Sequence, residues 1–145
     1  MVVQIEHDSR IIAIIVRHTY NDDGVNFFTP SEFSQQLAYM KRPKNEEINA
    51  HIHNRVERSV NYTQEVLIIR SGRLRVDFYT PQKIYLHSRI LEAGDVILLA
   101  SGGHGFKVID DVEMFEIKQG PYFEQDDKKI FDGCSPDQVD IREFS

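Results

Sequence analysis

An all-β fold, an antiparallel sandwich or barrel with one short N-terminal helix, is what this sequence predicts, and three observations point to it. Short runs rich in β-branched and aromatic residues recur between residues 48 and 118. Turn signals built from Gly, Pro, Asn, Asp and Ser separate them, and only one segment carries helical spacing. The 145 residues fall within the size of a single domain, taken as 1–145, which is long enough to bury a core without staples. Hydrophobic residues make up 41% and charged residues 28%, a balance that favours folding over disorder.

The elements follow in order. Residues 11–16 (Ile-Ile-Ala-Ile-Ile-Val) form a short, continuous, β-branched run that reads as a buried strand. Asn21, Asp22, Asp23 and Gly24 mark a turn. The helix is expected next. Thr29 caps it, Pro30 suits the first helical position, Glu32 completes a capping box, and Phe33, Leu37 and Met40 share one face before Pro43 ends it. Strands are then expected over 48–53, 65–70, 74–79, 88–91, 96–100, 105–109 and 112–118. On the last of these, Phe115 and Ile117 are expected to face inward, with Glu116 and Lys118 solvated. The opposite facing would make Glu116 or Lys118 an acid/base candidate inside the fold. Residues 119–145 read as a polar C-terminal extension, acidic around Glu124, Asp126 and Asp127.

Charge and cysteine content narrow the function classes. A net charge of −6 speaks against a nucleic-acid binder, which needs a clustered basic face to neutralise phosphates. Arg70, Arg73 and Arg75, close to Asp77, read as a solvated strand face. Cys134 is the single cysteine, so no intrachain disulfide forms, which suits a reducing compartment and suggests the cytoplasm. The first eight residues show no basic n-region, and the longest apolar run, six residues, is too short to cross a bilayer, so no membrane association is expected.

The chemistry concentrates in a few side chains. His51 and His53 stand two apart in an expected strand and would project from one face, a pre-arranged pair of nitrogen donors. Glu65 heads a face shared with Leu67 and Ile69, where a carboxylate is costly unless a cation or hydrogen bond accompanies it. Gly102 and Gly103 let the backbone bend so that His104 can approach the first pair. Three histidines and a glutamate would then surround one divalent transition ion.

The order His51-x-His53, then Glu65-x6-Gly72, then Gly94-Asp95 leading to Gly102-Gly103-His104 resembles the two motifs of the cupin superfamily over roughly residues 48–118. The resemblance implies a double-stranded β-helix (a jelly-roll barrel), often a homodimer, with a metal inside. The sequence departs from the pattern in three places. Eleven residues separate His53 from Glu65 where three or four are usual, Ala100 replaces a proline, and Val108 stands where an asparagine often follows. Glu57 sits at the usual spacing and is the alternative carboxylate; Glu65 is preferred because its Glu-x6-Gly context is intact. Thr63-Gln64-Glu65 and Lys118-Gln119-Gly120-Pro121-Tyr122 further resemble small uncharacterised cupins that accompany polysaccharide-biosynthesis enzymes. That likeness implies a sugar or sugar-nucleotide ligand.

The leading expectation is a metal-dependent enzyme acting on a small polar molecule, an isomerase, epimerase or dioxygenase. Iron, manganese, nickel and zinc all suit this donor set. The alternatives are a non-catalytic sugar-binding module, and a metal-free sugar-nucleotide isomerase or epimerase using a histidine base and an aromatic acid. Arg55 and Arg58 are candidates to clamp a carboxylate or phosphate. Tyr62 is a further catalytic candidate, and Tyr62, Tyr122 and Phe123 could wall the entrance. His7, His18 and His87 read as structural or surface residues.

Overall fold

The structure, a computed structural model, describes residues 1–125 and 127–145. Among the described residues the chain forms β1 (Val2–His7), β2 (Arg10–Val16), β3 (Gly24–Phe27), β4 (Ala38–Lys41), β5 (Glu65–Ser71), β6 (Arg73–Tyr79), β7 (Tyr85–Glu92), β8 (Val96–Leu99), β9 (Gly103–Val108), β10 (Glu113–Lys118) and one 3₁₀ turn, Pro136–Gln138. They fall in two compact units, Met1–Tyr20 with Thr63–Ser145, and Asn21–Tyr62.

The first unit contains a five-stranded sheet ordered β1-β2-β8-β5-β10 and a three-stranded sheet ordered β7-β6-β9, and every pairing is antiparallel. The all-β expectation holds, and among the described residues no ladder closes into a barrel. β2 is apolar along nearly its whole length because it lies between β1 and β8 with both faces covered: Ala13, Ile14 and Ile15 are all 0% exposed. On β6 the period is two. Leu74, Val76 and Phe78 point into a cluster with Leu67 and Ile69 of β5, Leu91 of β7, and Ile97 and Leu99 of β8. Each such side chain contributes about 1.5–3 kcal/mol by leaving water.

Two turns hold the sheets in place. At Gly72, between β5 and β6, φ is +77°, and a Cβ would lie 1.9 Å from the Asp111 carbonyl oxygen, so only glycine fits. Between β7 and β8 the buried Asp95 carboxylate accepts hydrogen bonds from Arg17 Nη1 at 2.6 Å and from the backbone amides of His18 and Glu92, each at 2.8 Å. A buried carboxylate is tolerated only with such a full set of partners.

The second unit corrects two expectations. Residues 30–42 form no helix. β3 and β4 instead pair as an antiparallel hairpin, with Val25 opposite Met40 and Phe27 opposite Ala38. Thr29 Oγ1 does not cap a helix but accepts the Leu37 amide at 3.1 Å, and the Gln36 side-chain amide donates to the carbonyls of Pro30 (2.9 Å) and Phe33 (3.0 Å). Polar side chains thus satisfy the loop backbone that a helix would have satisfied internally. Residues 48–53 form no strand: Ile48 and Ile52 are 64% and 89% exposed, and no ladder pairs them among the described residues. Without burial on one face, the alternating pattern has nothing to fix it.

Candidate functional site

β5 and β9 bring one donor pair together. Glu65 begins β5 on the face that continues through Leu67 and Ile69 into the core, and His104 lies on β9 opposite Phe78 of β6, a core residue. His104 Nε2 and Glu65 Oε2 are 3.1 Å apart. The hydrogen bond with His104 holds the Glu65 carboxyl below the usual carboxylate range; partial burial opposes this, and the charge of Lys118 assists it. The carboxylate is therefore ionised over the ordinary pH range.

The approach of His104 depends on the glycines before it. Gly102 has φ +69°, and a Cβ there would lie 2.4 Å from the Tyr79 carbonyl oxygen. At Gly103 the Phe131 ring packs where a Cβ would be, 2.8 Å away. The turn signal in the sequence was the right one, with the C-terminal extension as an unforeseen partner.

β10 faces the other way from the sequence expectation. Lys118, Glu116 and Met114 lie opposite Glu65, Leu67 and Ile69, and directly opposed residues of an antiparallel pair share a face. Phe115 and Ile117 are instead left 56% and 51% exposed. Lys118 Nζ lies 3.8 Å from Glu65 Oε1, 3.5 Å from Glu116 Oε1 and 3.6 Å from Asp127 Oδ2, and 5.1 Å from the centre of the Tyr122 ring.

Glu65, Leu67, His104, Met114, Glu116, Lys118 and Tyr122 line an open cavity of about 530 Å³, together with Phe106 and Lys128. Phe106, Met114 and Lys128 went unmarked in the sequence. Met114 reaches the cavity through the pairing of β10 with β5, which local alternation does not reveal, while Phe106 comes from β9 and Lys128 from the C-terminal extension.

The remaining predicted residues belong to the second unit. His51 and His53 are exposed on a stretch without regular secondary structure, yet their rings stay neighbours, with centres 5.3 Å apart and planes at 77°. His51 Nδ1 lies 2.8 Å from the Asn49 carbonyl oxygen. A carbonyl only accepts, so Nδ1 carries the hydrogen in this contact. Arg55, Glu57, Arg58 and Tyr62 are likewise exposed. Among the described residues no group of three or more His, Cys, Asp or Glu side chains is gathered for an ion. His18 is structural, its Nδ1 3.0 Å from Asp95 Oδ1, and His87 is buried on β7.

Fold and site together define an all-β chain of antiparallel sheets whose cavity carries an imidazole–carboxylate pair. Comparison with family models, with curated proteins and with solved structures returns no match to this chain. No helix among the described residues is long and apolar enough to cross a membrane.

Proposed function

We propose that this chain is a cupin-type, metal-dependent enzyme acting on a small polar molecule such as a sugar derivative, with His104 and Glu65 as ligands of one divalent ion. The observation that carries the reading is the 3.1 Å separation of His104 Nε2 and Glu65 Oε2 at a cavity wall. Adjacent donors on one octahedral ion with bonds near 2.1 Å are roughly 3 Å apart. Glu65 is also ionised, as a metal ligand must be.

A bound ion supplies Lewis acidity to a coordinated carbonyl for isomerisation or, as iron(II), a site for O₂. The chain supplies the rest. Lys118 and Lys128 offer positive charge to an anionic substrate group, Glu116 stands ready to take a proton, and Phe106, Met114 and Tyr122 cover the less polar face of a sugar. A homodimer belongs to the same reading, since β10 ends its sheet and leaves Phe115 and Ile117 exposed.

Elemental analysis of protein purified without chelators tests this: about one transition ion per chain is expected. Content well below one that His104→Ala leaves unchanged would sink the metal. Binding and turnover of candidate sugars, with and without the ion, then separate an enzyme from a binding module. Tyr122 in the same lining favours one second reading, a metal-free isomerase or epimerase with His104 as base, held by Glu65, and Tyr122 as acid. It predicts turnover that survives metal removal and is lost in His104→Gln.

A further inference from the structure

We propose that the C-terminal tail is a proton-operated strap: residues 140–144 dock along β7 while His87 is neutral and leave it when His87 takes a proton. β7 ends the three-stranded sheet on the side away from β9, and the tail occupies that otherwise open edge. Ile141 makes a parallel bridge to Ser88, the Ser88 amide donates to the Asp140 carbonyl at 2.7 Å, and the Arg142 amide donates to the Ser88 carbonyl at 3.0 Å. Beyond the bridge, Arg89 Nη1 donates to the carbonyls of Arg142 (3.0 Å) and Glu143 (2.5 Å). Phe144 then lies between two guanidinium groups, its ring centre 4.1 Å from Arg17 Cζ and 5.1 Å from Arg89 Cζ, and packs on the core.

His87 sits on the opposite face of β7 from Ser88 and is 8% exposed against the Phe78 ring. Among the described residues its buried Nε2 has no hydrogen-bond partner, nor has Arg89 Nε. The charged groups facing it are Arg89 on its own strand and Arg142 and Asp140 on the tail, while Phe78 of β6 brings no charge. A proton on His87 therefore enters a buried position with no acceptor for the new N–H and two guanidinium groups near it. Burial first, then Arg142 and Arg89, hold the imidazole down at about 4, with Asp140 opposing.

Undocking the tail removes Arg142 and opens the position to water, which returns His87 towards the ordinary histidine value near 6.5. Docking and protonation then oppose each other reciprocally. Docking is fully present above the undocked value and weakens as pH falls from about 6.5 towards 4, by about 30-fold between pH 7.5 and 5.

Amide hydrogen exchange on the full chain reads this. After correction for intrinsic rates, the Ser88 and Arg142 amides should lose about 30-fold protection between pH 7.5 and 5, at a level of protection well below that of the Ile69 amide, bonded to the Asp95 carbonyl in the core. In His87→Gln that acid-induced loss should vanish. Unchanged protection in the wild type, protection of Ser88 and Arg142 equal to that of Ile69, or the same loss in His87→Gln overturns the strap. Should His87→Gln not fold, NMR titration of His87 decides: its midpoint lies below 5 in the wild type and rises in Phe144→Ala. An identical midpoint in both proteins overturns it.

Discussion

Glu65 with His104, and His51 with His53, offer the same kind of donor from opposite kinds of backbone. The first pair is fixed by register: Glu65 lies opposite Lys118 and Leu99, and His104 opposite Phe78, so both inherit the rigidity of a packed core. The second pair is held by neighbours in sequence alone, through ring contact and the Asn49 carbonyl. The first pair is preformed by folding, whereas the second has no such frame, so that fold stability responds to the surroundings of the first pair and not of the second.

Changes to the framework should cost stability, and changes to His51 should not. Asp95→Ala comes first, since it removes the acceptor shared by Arg17 and the His18 and Glu92 amides; we expect a loss of about 3–5 kcal/mol in urea denaturation. A cost under 1 kcal/mol would mean that this turn is not part of the frame.

Next is pH. His87 is held at about 4 in the folded chain, so the unfolded chain binds its proton first as pH falls. Its contribution is whole above about pH 6.5 and fades towards pH 4, by at most about 3 kcal/mol. His87→Leu should flatten the denaturation midpoint over that range. Gly102→Ala, with positive φ and a Cβ 2.4 Å from the Tyr79 oxygen, should cost about 1–3 kcal/mol and weaken metal binding by displacing His104. Smallest is His51→Ala, expected within about 0.5 kcal/mol of wild type in the absence of metal. A larger loss would show that residues 48–53 are structural and would erase the contrast between the two halves.

The framework half was legible because burial leaves a period in the sequence. The alternation through Leu74, Val76 and Phe78 and the apolar stretch of β8 read as strands and are strands. The failures share a cause. Thr29, Pro30 and Glu32 satisfy a helix start locally, but the Gln36 side chain and the β3–β4 pairing claim the same backbone groups. Phe115 and Ile117 look inward-facing by hydrophobicity, yet pairing with β5 sends Glu116 and Lys118 to the cavity side. β1 went unread because Gln4 and Glu6 interrupt an apolar pattern that only its pairing with β2 makes coherent. Glu65 and His104 were legible because Gly72 and Gly102 flag the turns beside them, whereas Lys128 and Phe106 carry no local signal at all.

The central claim, that His104 and Glu65 hold one ion, is tested most directly by titrating metal-stripped protein with Co²⁺ and following its visible ligand-field absorption. The account predicts saturation at one equivalent, with affinity lowered at least about tenfold in both His104→Ala and Glu65→Ala. Absence of protein-bound cobalt bands in the wild type, or a titration that neither substitution changes, would contradict it.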